Sequence, residues 1–219
     1  MEVIVKKNYD EMSREAGRVV AEEMQKKLAK KQPFKLGLAT GSTPVGLYRE
    51  LARLNRKGVI DFSTTITFNL DEYIGLDPKH SQSYHKFMYD NLFRHVNINM
   101  KNVHVPDGKA KDPEAFCEHY EQSIRDSGGL DLQVLGLGRD GHIGFNEPGS
   151  SLASRTRIKT LTEETIDDNA RFFRNKAEVP KYAITMGVGT ILDSKKIILL
   201  ASGSNKAEVL ARTIEGPVT

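Results

Sequence analysis

The chain has 219 residues, of which 38% are hydrophobic and 28% charged, with a formal net charge of +3. That length suits one α/β domain over residues 1–219, and the composition is that of a folded globular chain rather than a disordered or fibrous one. The small charge, scattered apart from the cluster Lys26, Lys27, Lys30 and Lys31, argues against a nucleic-acid partner and reads as a solvated helix end. No stretch is long and apolar enough to span a bilayer, and Met1-Glu-Val-Ile-Val lacks the charged start and apolar run of a signal peptide. Cys117 is the only cysteine, so no disulfide forms within the chain. A cytoplasmic setting with no membrane contact is the expectation.

Residues 3–5 read as a short first strand. Residues 9–31 read as an amphipathic helix, because Met12, Ala16, Val19, Val20 and Met24 recur at helical spacing, with Asp10 or Ser13 as its cap. Residues 34–39 form the next strand and run into Thr40-Gly-Ser-Thr-Pro44. A helix over 45–57 follows, with Ser42 or Thr43 as N-cap, Pro44 in its first turn and Gly58 at its end. Residues 64–70 are β-branched and aromatic, hence a strand with Asp71 at its end. Helices are expected over 83–95 and 113–127, the second holding Cys117 in a packing role. A buried strand begins near Leu130 and enters a glycine-rich loop. Segment 150–165 reads as polar, rich in Ser, Thr, Arg and Lys. A strand over 182–186, a short helix over 187–192, a strand over 196–201 and a final helix opened by Gly203-Ser-Asn-Lys206 complete the chain.

Strands alternating with helices predict an open, mostly parallel sheet with helices on both faces, a three-layer, Rossmann-like α/β/α arrangement. In such sheets ligands bind beyond the carboxyl ends of the strands. Polar signatures fall at those ends: 40–43, Asp71-Glu72, 140–147 and 202–206.

Each signature permits particular chemistry. The loop Thr40-Gly-Ser-Thr-Pro-Val-Gly46 offers backbone N–H groups, hydroxyls and a helix dipole to an anion, most simply a phosphate. It lacks the spacing and lysine of a nucleoside-triphosphate loop. Asp71 suits a general base or, equally, a cap for the next turn. In Asp140-Gly-His-Ile-Gly-Phe-Asn-Glu147, a histidine between carboxylates is placed for proton transfer, since a hydrogen-bonded carboxylate fixes its tautomer. Gly136-x-Gly-x-x-Gly141 matches the dinucleotide fingerprint in pattern only, because Gly144, Pro148 and Gly149 follow where a helix must open. His80, His85, His95, His104 and His119 have no spacing that completes a zinc site with His142. No Gly-x-Ser-x-Gly elbow of a serine hydrolase is present. Arg171, flanked by Phe172 and Phe173 a residue further on, and Lys206, in a first helical turn where the dipole disfavours cations, are candidate anion contacts.

These residues resemble the glucosamine-6-phosphate deaminase family. Leu38-Ala-Thr-Gly-Ser-Thr-Pro44, Phe68-Asn-Leu-Asp-Glu-Tyr73, Gly138-Arg-Asp-Gly-His-Ile-Gly-Phe-Asn-Glu-Pro148 and Ser154-Arg-Thr-Arg157 carry the resemblance, which covers essentially the whole chain in order. The first motif is shared more widely, including with 6-phosphogluconolactonases. The resemblance implies conversion of glucosamine 6-phosphate and water to fructose 6-phosphate and ammonia, with no metal or organic cofactor. It implies Asp71 as the base at C2, His142 in ring opening with Asp140 and Glu147 orienting it, and Gly41, Ser42, Thr43, Arg171 and Lys206 as phosphate contacts. Regulated members are hexamers that bind N-acetylglucosamine 6-phosphate, and Ser151, Arg157 and Lys159 match that effector site; other members are unregulated monomers. The family's usual end lies beyond Thr219, with a further strand. A lactonase-like hydrolase and a non-catalytic sugar-phosphate sensor are the competing readings. The acid–base set, and a first strand that leaves no room for an N-terminal DNA-binding domain, weigh against the sensor.

Overall fold

The computed structural model describes residues 1–138, 140–171 and 173–217. Arg139 of the histidine motif, Phe172 beside Arg171, and the last two residues lie outside the described residues.

Five short strands build a parallel sheet: β1 (Lys35–Leu38), β2 (Ile66–Asn69), β4 (Val103–His104), β5 (Leu132–Gly136) and β8 (Ile197–Leu200). Their order is β4-β2-β1-β5-β8. The chain grows outward from β1 through β2 to β4 on one side, and from β5 to β8 on the other. The strand order therefore reverses between β1 and β5, which opens a crevice beyond their carboxyl ends. The glycine-serine loop leaves β1 there and the histidine loop leaves β5 there, so topology alone brings these two signatures together.

Helices α1 (Tyr9–Ala29), α2 (Val45–Arg56) and α3 (Tyr84–Asn91) cover one face, over a core that includes Val20, Met24, Leu36, Leu38, Leu47, Leu51, Met88 and Leu92. Helices α4 (Pro113–Asp126) and α6 (Val188–Leu192) cover the other, where Tyr120, Ile124, Leu135 and Ile191 pack. Helices thus lie on both faces of a parallel sheet, as the alternating pattern requires. Cys117 is buried in α4; burial, reinforced by nearby Glu114, pushes its thiol up to about 11, which suits packing rather than nucleophilic chemistry. No helix among the described residues is long and apolar enough to cross a membrane.

Several local expectations are corrected. Residues 3–5 form no strand; Val3 and Val5 are exposed, and no strand edge is paired with them. A β-prone run without a partner stays irregular. The cap of α1 is Asn8, whose side chain accepts from the Glu11 N–H, and not Asp10 or Ser13. Pro44 holds the N-cap position of α2 and no side chain caps it, so the Ser42 and Thr43 hydroxyls are not spent on capping. Residues 83–95 split into α3 and a 3-10 turn (Phe93–His95).

The larger correction is a second sheet. β3 (Asp71–Tyr73), β6 (Arg157–Thr160) and β7 (Tyr182–Thr185) form an antiparallel sheet in the order β3-β7-β6. Asp71 therefore opens a new strand, separated from the end of β2 by Leu70 alone. The segment 150–165 contains an edge strand and the start of α5 (Glu163–Ala170), which a polar composition concealed. Tyr73, Phe145, Leu161, Ile166, Val179 and Ala183 fill the space beneath this sheet. Glu121 of α4, almost fully buried, accepts from Thr156 N and Oγ1 and from Thr190 Oγ1, tying the start of β6 to α6. α7 (Ala207–Glu215) is the last helix among the described residues.

Candidate active site

Asp71 enters the site from the first position of β3. Its cross-strand neighbours are Thr185 and, one strand further, Arg157, so the three side chains share a row on one face. Asp71 is 5% exposed. Burial, reinforced by the negative charge of neighbouring Glu72, pushes its carboxyl up to about 8. Gly144 lies directly over it: a Cβ there would sit 2.9 Å from Asp71 Oδ2 and 3.2 Å from Thr185 Oγ1, and Gly144 takes a φ of +60°. A side chain at 144 would fill the space above the carboxylate.

The histidine loop is held by its own backbone. The Gly138 N–H donates to His142 O at 2.8 Å, and Ile143 and Asn146 exchange backbone hydrogen bonds. The buried Asn146 side chain donates to Ile143 O and to Met186 O at the end of β7, which pins the loop between the two sheets. Phe145 donates its N–H to Thr185 Oγ1 and packs on Tyr73. His142 Nδ1 lies 2.6 Å from Asp140 Oδ1, which fixes the ring and leaves Nε2 for chemistry. The ring rests against Gly138; a Cβ there would stand 2.6 Å from His142 Cε1.

Asp140, His142 and Glu147 converge, with donor atoms within 4.8 Å of one another. Burial opposes ionisation of Asp140, but the His142 N–H and imidazole outweigh it and hold its carboxyl below the ordinary value. Glu147 moves the other way: burial raises it, nearby His142 opposes that, and its hydrogen bond with Asp140 adds to the rise. Thr165 of α5 donates its hydroxyl to Glu147. Carboxylates pushed apart in this way, around one imidazole, suit proton shuttling. The same cluster has the spacing to bridge a cation, though the Asp140 contact already occupies one ring nitrogen.

At the end of β1, Gly41 takes a φ of +96° and turns the chain into α2. Ser42, Thr43, Tyr9, Val45, Arg49 and Ser202 line a cavity of about 500 Å³. The first and fourth sequence signatures thus share one cavity. Arg171 stands at the C-cap of α5 and Lys206 at the N-cap of α7. Val209 of α7 would lie 3.5 Å from a Cβ at Gly141, so the fourth signature also borders the histidine loop. Ser151 accepts from the Ala153 N–H in the turn before β6, and Arg157 and Lys159 project from one face of β6 itself.

Sequence reading missed several contributors. Glu72 is 1% exposed and accepts from Tyr73 N, Ser83 Oγ and His85 N, so it anchors the start of α3 beside Asp71. Its only signal was adjacency to Asp71. Thr165 gave none because α5 was not foreseen, and Thr185 gave none because its strand was foreseen but its pairing with β3 was not.

Fold and site define an α/β protein equipped for acid–base chemistry on a small anionic molecule. The chain belongs to the glucosamine-6-phosphate isomerases/6-phosphogluconolactonase family, whose model matches residues 7–219. It is 54% identical over 219 residues to a glucosamine-6-phosphate deaminase of Thermoanaerobacter sp. (strain X514), covering 100% of this chain and 85% of that relative. It is 52% identical to the deaminase of Halothermothrix orenii, at 100% and 89% coverage. A solved structure described as a monomeric glucosamine-6-phosphate deaminase superposes with a TM-score of 0.95 at 45% identity, covering 100% of this chain and 89% of that one. A 6-phosphogluconolactonase from Trypanosoma cruzi, 22% identical with a TM-score of 0.75 and covering 100% and 86%, shares the fold.

Gly138→Ala should displace the imidazole and lower turnover by about 10²-fold. Circular dichroism and thermal unfolding should change little; a fully active variant contradicts the packing described. Asp71 gives a second expectation. Between the ordinary carboxyl value and about 8, the folded chain keeps a proton that the unfolded chain releases, so this group's contribution to stability falls as pH rises through that window. Asp71→Asn removes the loss. Its unfolding midpoint should gain on the parent's from pH 5 to pH 8, and a difference independent of pH would contradict the raised value.

Proposed function

We propose that the chain is a glucosamine-6-phosphate deaminase, converting glucosamine 6-phosphate and water to fructose 6-phosphate and ammonia. The observation that carries this reading is the buried Asp71 carboxyl facing the histidine loop. The phosphate sits at the loop of Gly41, Ser42 and Thr43, with Arg171 and Lys206 as cations, and this remote binding energy positions the sugar. His142 moves a proton between the ring oxygen and the C1 hydroxyl, opening the pyranose. Asp140 orients the imidazole and Glu147 completes the relay. Asp71 then removes the C2 proton and returns it to C1. The resulting C2 imine adds water and expels ammonia, leaving the ketose.

A base with a raised pKa fits this substrate. The amino sugar brings a cationic ammonium to C2, beside Asp71. An opposite charge at that distance favours the carboxylate, so binding ionises the base where it is needed. A lactone carries no such cation and needs no base at C2. Both sheets contribute to the site, which supports one working domain. The unregulated form of the family is the better match: Ser151 is engaged within its own turn, Arg157 donates to Arg155 O, and the 45%-identical solved relative is described as monomeric. A reducing, cytoplasmic setting belongs to the same reading.

Incubation with glucosamine 6-phosphate in EDTA should yield equimolar ammonia and fructose 6-phosphate, with a hyperbolic rate curve that N-acetylglucosamine 6-phosphate leaves unchanged. Asp71→Asn should retain sugar-phosphate binding and lose about 10²–10⁴-fold in turnover. Lactone hydrolysis without ammonia release would replace this reading with the hydrolase. Loss of activity in EDTA would make the Asp140, His142 and Glu147 cluster a metal centre.

A further inference from the structure

The first helix makes an unexpected contact with the loop of Ser42 and Thr43. Tyr9 opens α1, and its phenol oxygen sits at the start of α2, a separation of 33–37 residues along the chain. It donates toward Ser42 O at 3.0 Å and Thr43 O at 3.1 Å, and it accepts the Gly46 N–H at 2.7 Å. The contact is close on both sides. A Cβ at Gly46 would collide with Ser13 Oγ and lie 2.8 Å from Tyr9 Cε1, so glycine there is what lets α1, and with it the Tyr9 ring, approach.

The direction of these bonds has a consequence for the loop. In a trans peptide the C=O and the following N–H point opposite ways. Turning the Ser42 carbonyl toward Tyr9 therefore turns the Thr43 N–H away from it. The Thr43 carbonyl, likewise turned toward Tyr9, precedes Pro44, which has no N–H to lose. Both loop carbonyls, which would repel an anion, are thus held by one hydroxyl. The Ser42 and Thr43 hydroxyls remain uncommitted to capping, and the cavity they line also contains Tyr9 and Arg49.

We infer that Tyr9 is a positioning residue for substrate phosphate: its hydroxyl clamps the carbonyls of Ser42 and Thr43 so that the loop presents donors to the anion. This rests on the reading of that loop as the phosphate site. Tyr9 lies outside the acid–base set, so its contribution is to ground-state and transition-state binding alike, which appears in KM and not in kcat.

The test compares the parent, Tyr9→Phe and Gly46→Ala, the second pushing on the clamp from the other side. Steady-state kinetics with glucosamine 6-phosphate and competition by inorganic phosphate are measured for each, alongside thermal unfolding. Tyr9→Phe should raise KM and the inhibition constant of phosphate together, by about 10-fold, the size of one lost hydrogen bond. Its kcat should stay within about twofold. Gly46→Ala should show the same pattern. If phosphate inhibits all three proteins equally, the Tyr9 role is overturned while the phosphate site stands. If phosphate fails to compete even with the parent, the reading of the loop falls, and the Tyr9 role with it. A fall in kcat at constant KM would make Tyr9 part of the general scaffold and overturn the clamp.

Discussion

A buried carboxyl with a second carboxylate as its neighbour is the constraint on which the site depends. Asp71 is 5% exposed and Glu72 1% exposed, on successive residues of one short strand. Two acids placed this close cannot be treated alike by the fold. Glu72 is surrounded by donors from Tyr73, Ser83 and His85, and its work is to hold the start of α3. Asp71 faces the histidine loop and the space above Gly144. In the proposed mechanism this carboxyl ionises when a cationic substrate binds beside it, which ties chemical readiness to occupancy.

The rest of the architecture serves that placement. The parallel sheet supplies the crevice between β1 and β5, from which the glycine-serine loop and the histidine loop emerge. The antiparallel sheet supplies Asp71, and Asn146 joins the two by bonding from the histidine loop to Met186, just beyond β7. Glycines mark the places where backbones or rings must approach: Gly138 beneath the imidazole, Gly144 over Asp71, Gly46 beside Tyr9. A larger residue at any of these would move a functional group rather than simply strain the chain.

Much of this was legible in the sequence, and for definable reasons. Four of the five parallel strands were readable because they are apolar runs separated by periodic helices and punctuated by glycine and proline, whereas the two-residue β4 is too short to show a pattern. The acid–base cluster stood out because Asp140, His142 and Glu147 lie within one loop. What was hidden depended on long-range pairing. Residues 3–5 have strand propensity but no partner. Arg157–Thr160 is polar, yet it forms a strand because β7 offers it an edge. Asp71 looked like the end of one strand and proved to be the start of another, since the register with Thr185 lies outside any local window. Tyr9 carried no local signal, because its hydroxyl acts on a loop more than thirty residues away.

The most direct test of this account is the titration of the Asp71 carboxyl itself. Carbon-13 NMR of protein labelled at aspartate carboxyls, with Asp71→Asn for assignment, would follow it from pH 4 to pH 9. The measurement would be made free and with an unreactive open-chain amino alditol phosphate bound. The account predicts a midpoint near 8 in the free protein and ionisation at lower pH in the complex. A free-protein midpoint near that of an ordinary aspartate, unmoved by the ligand, would contradict it.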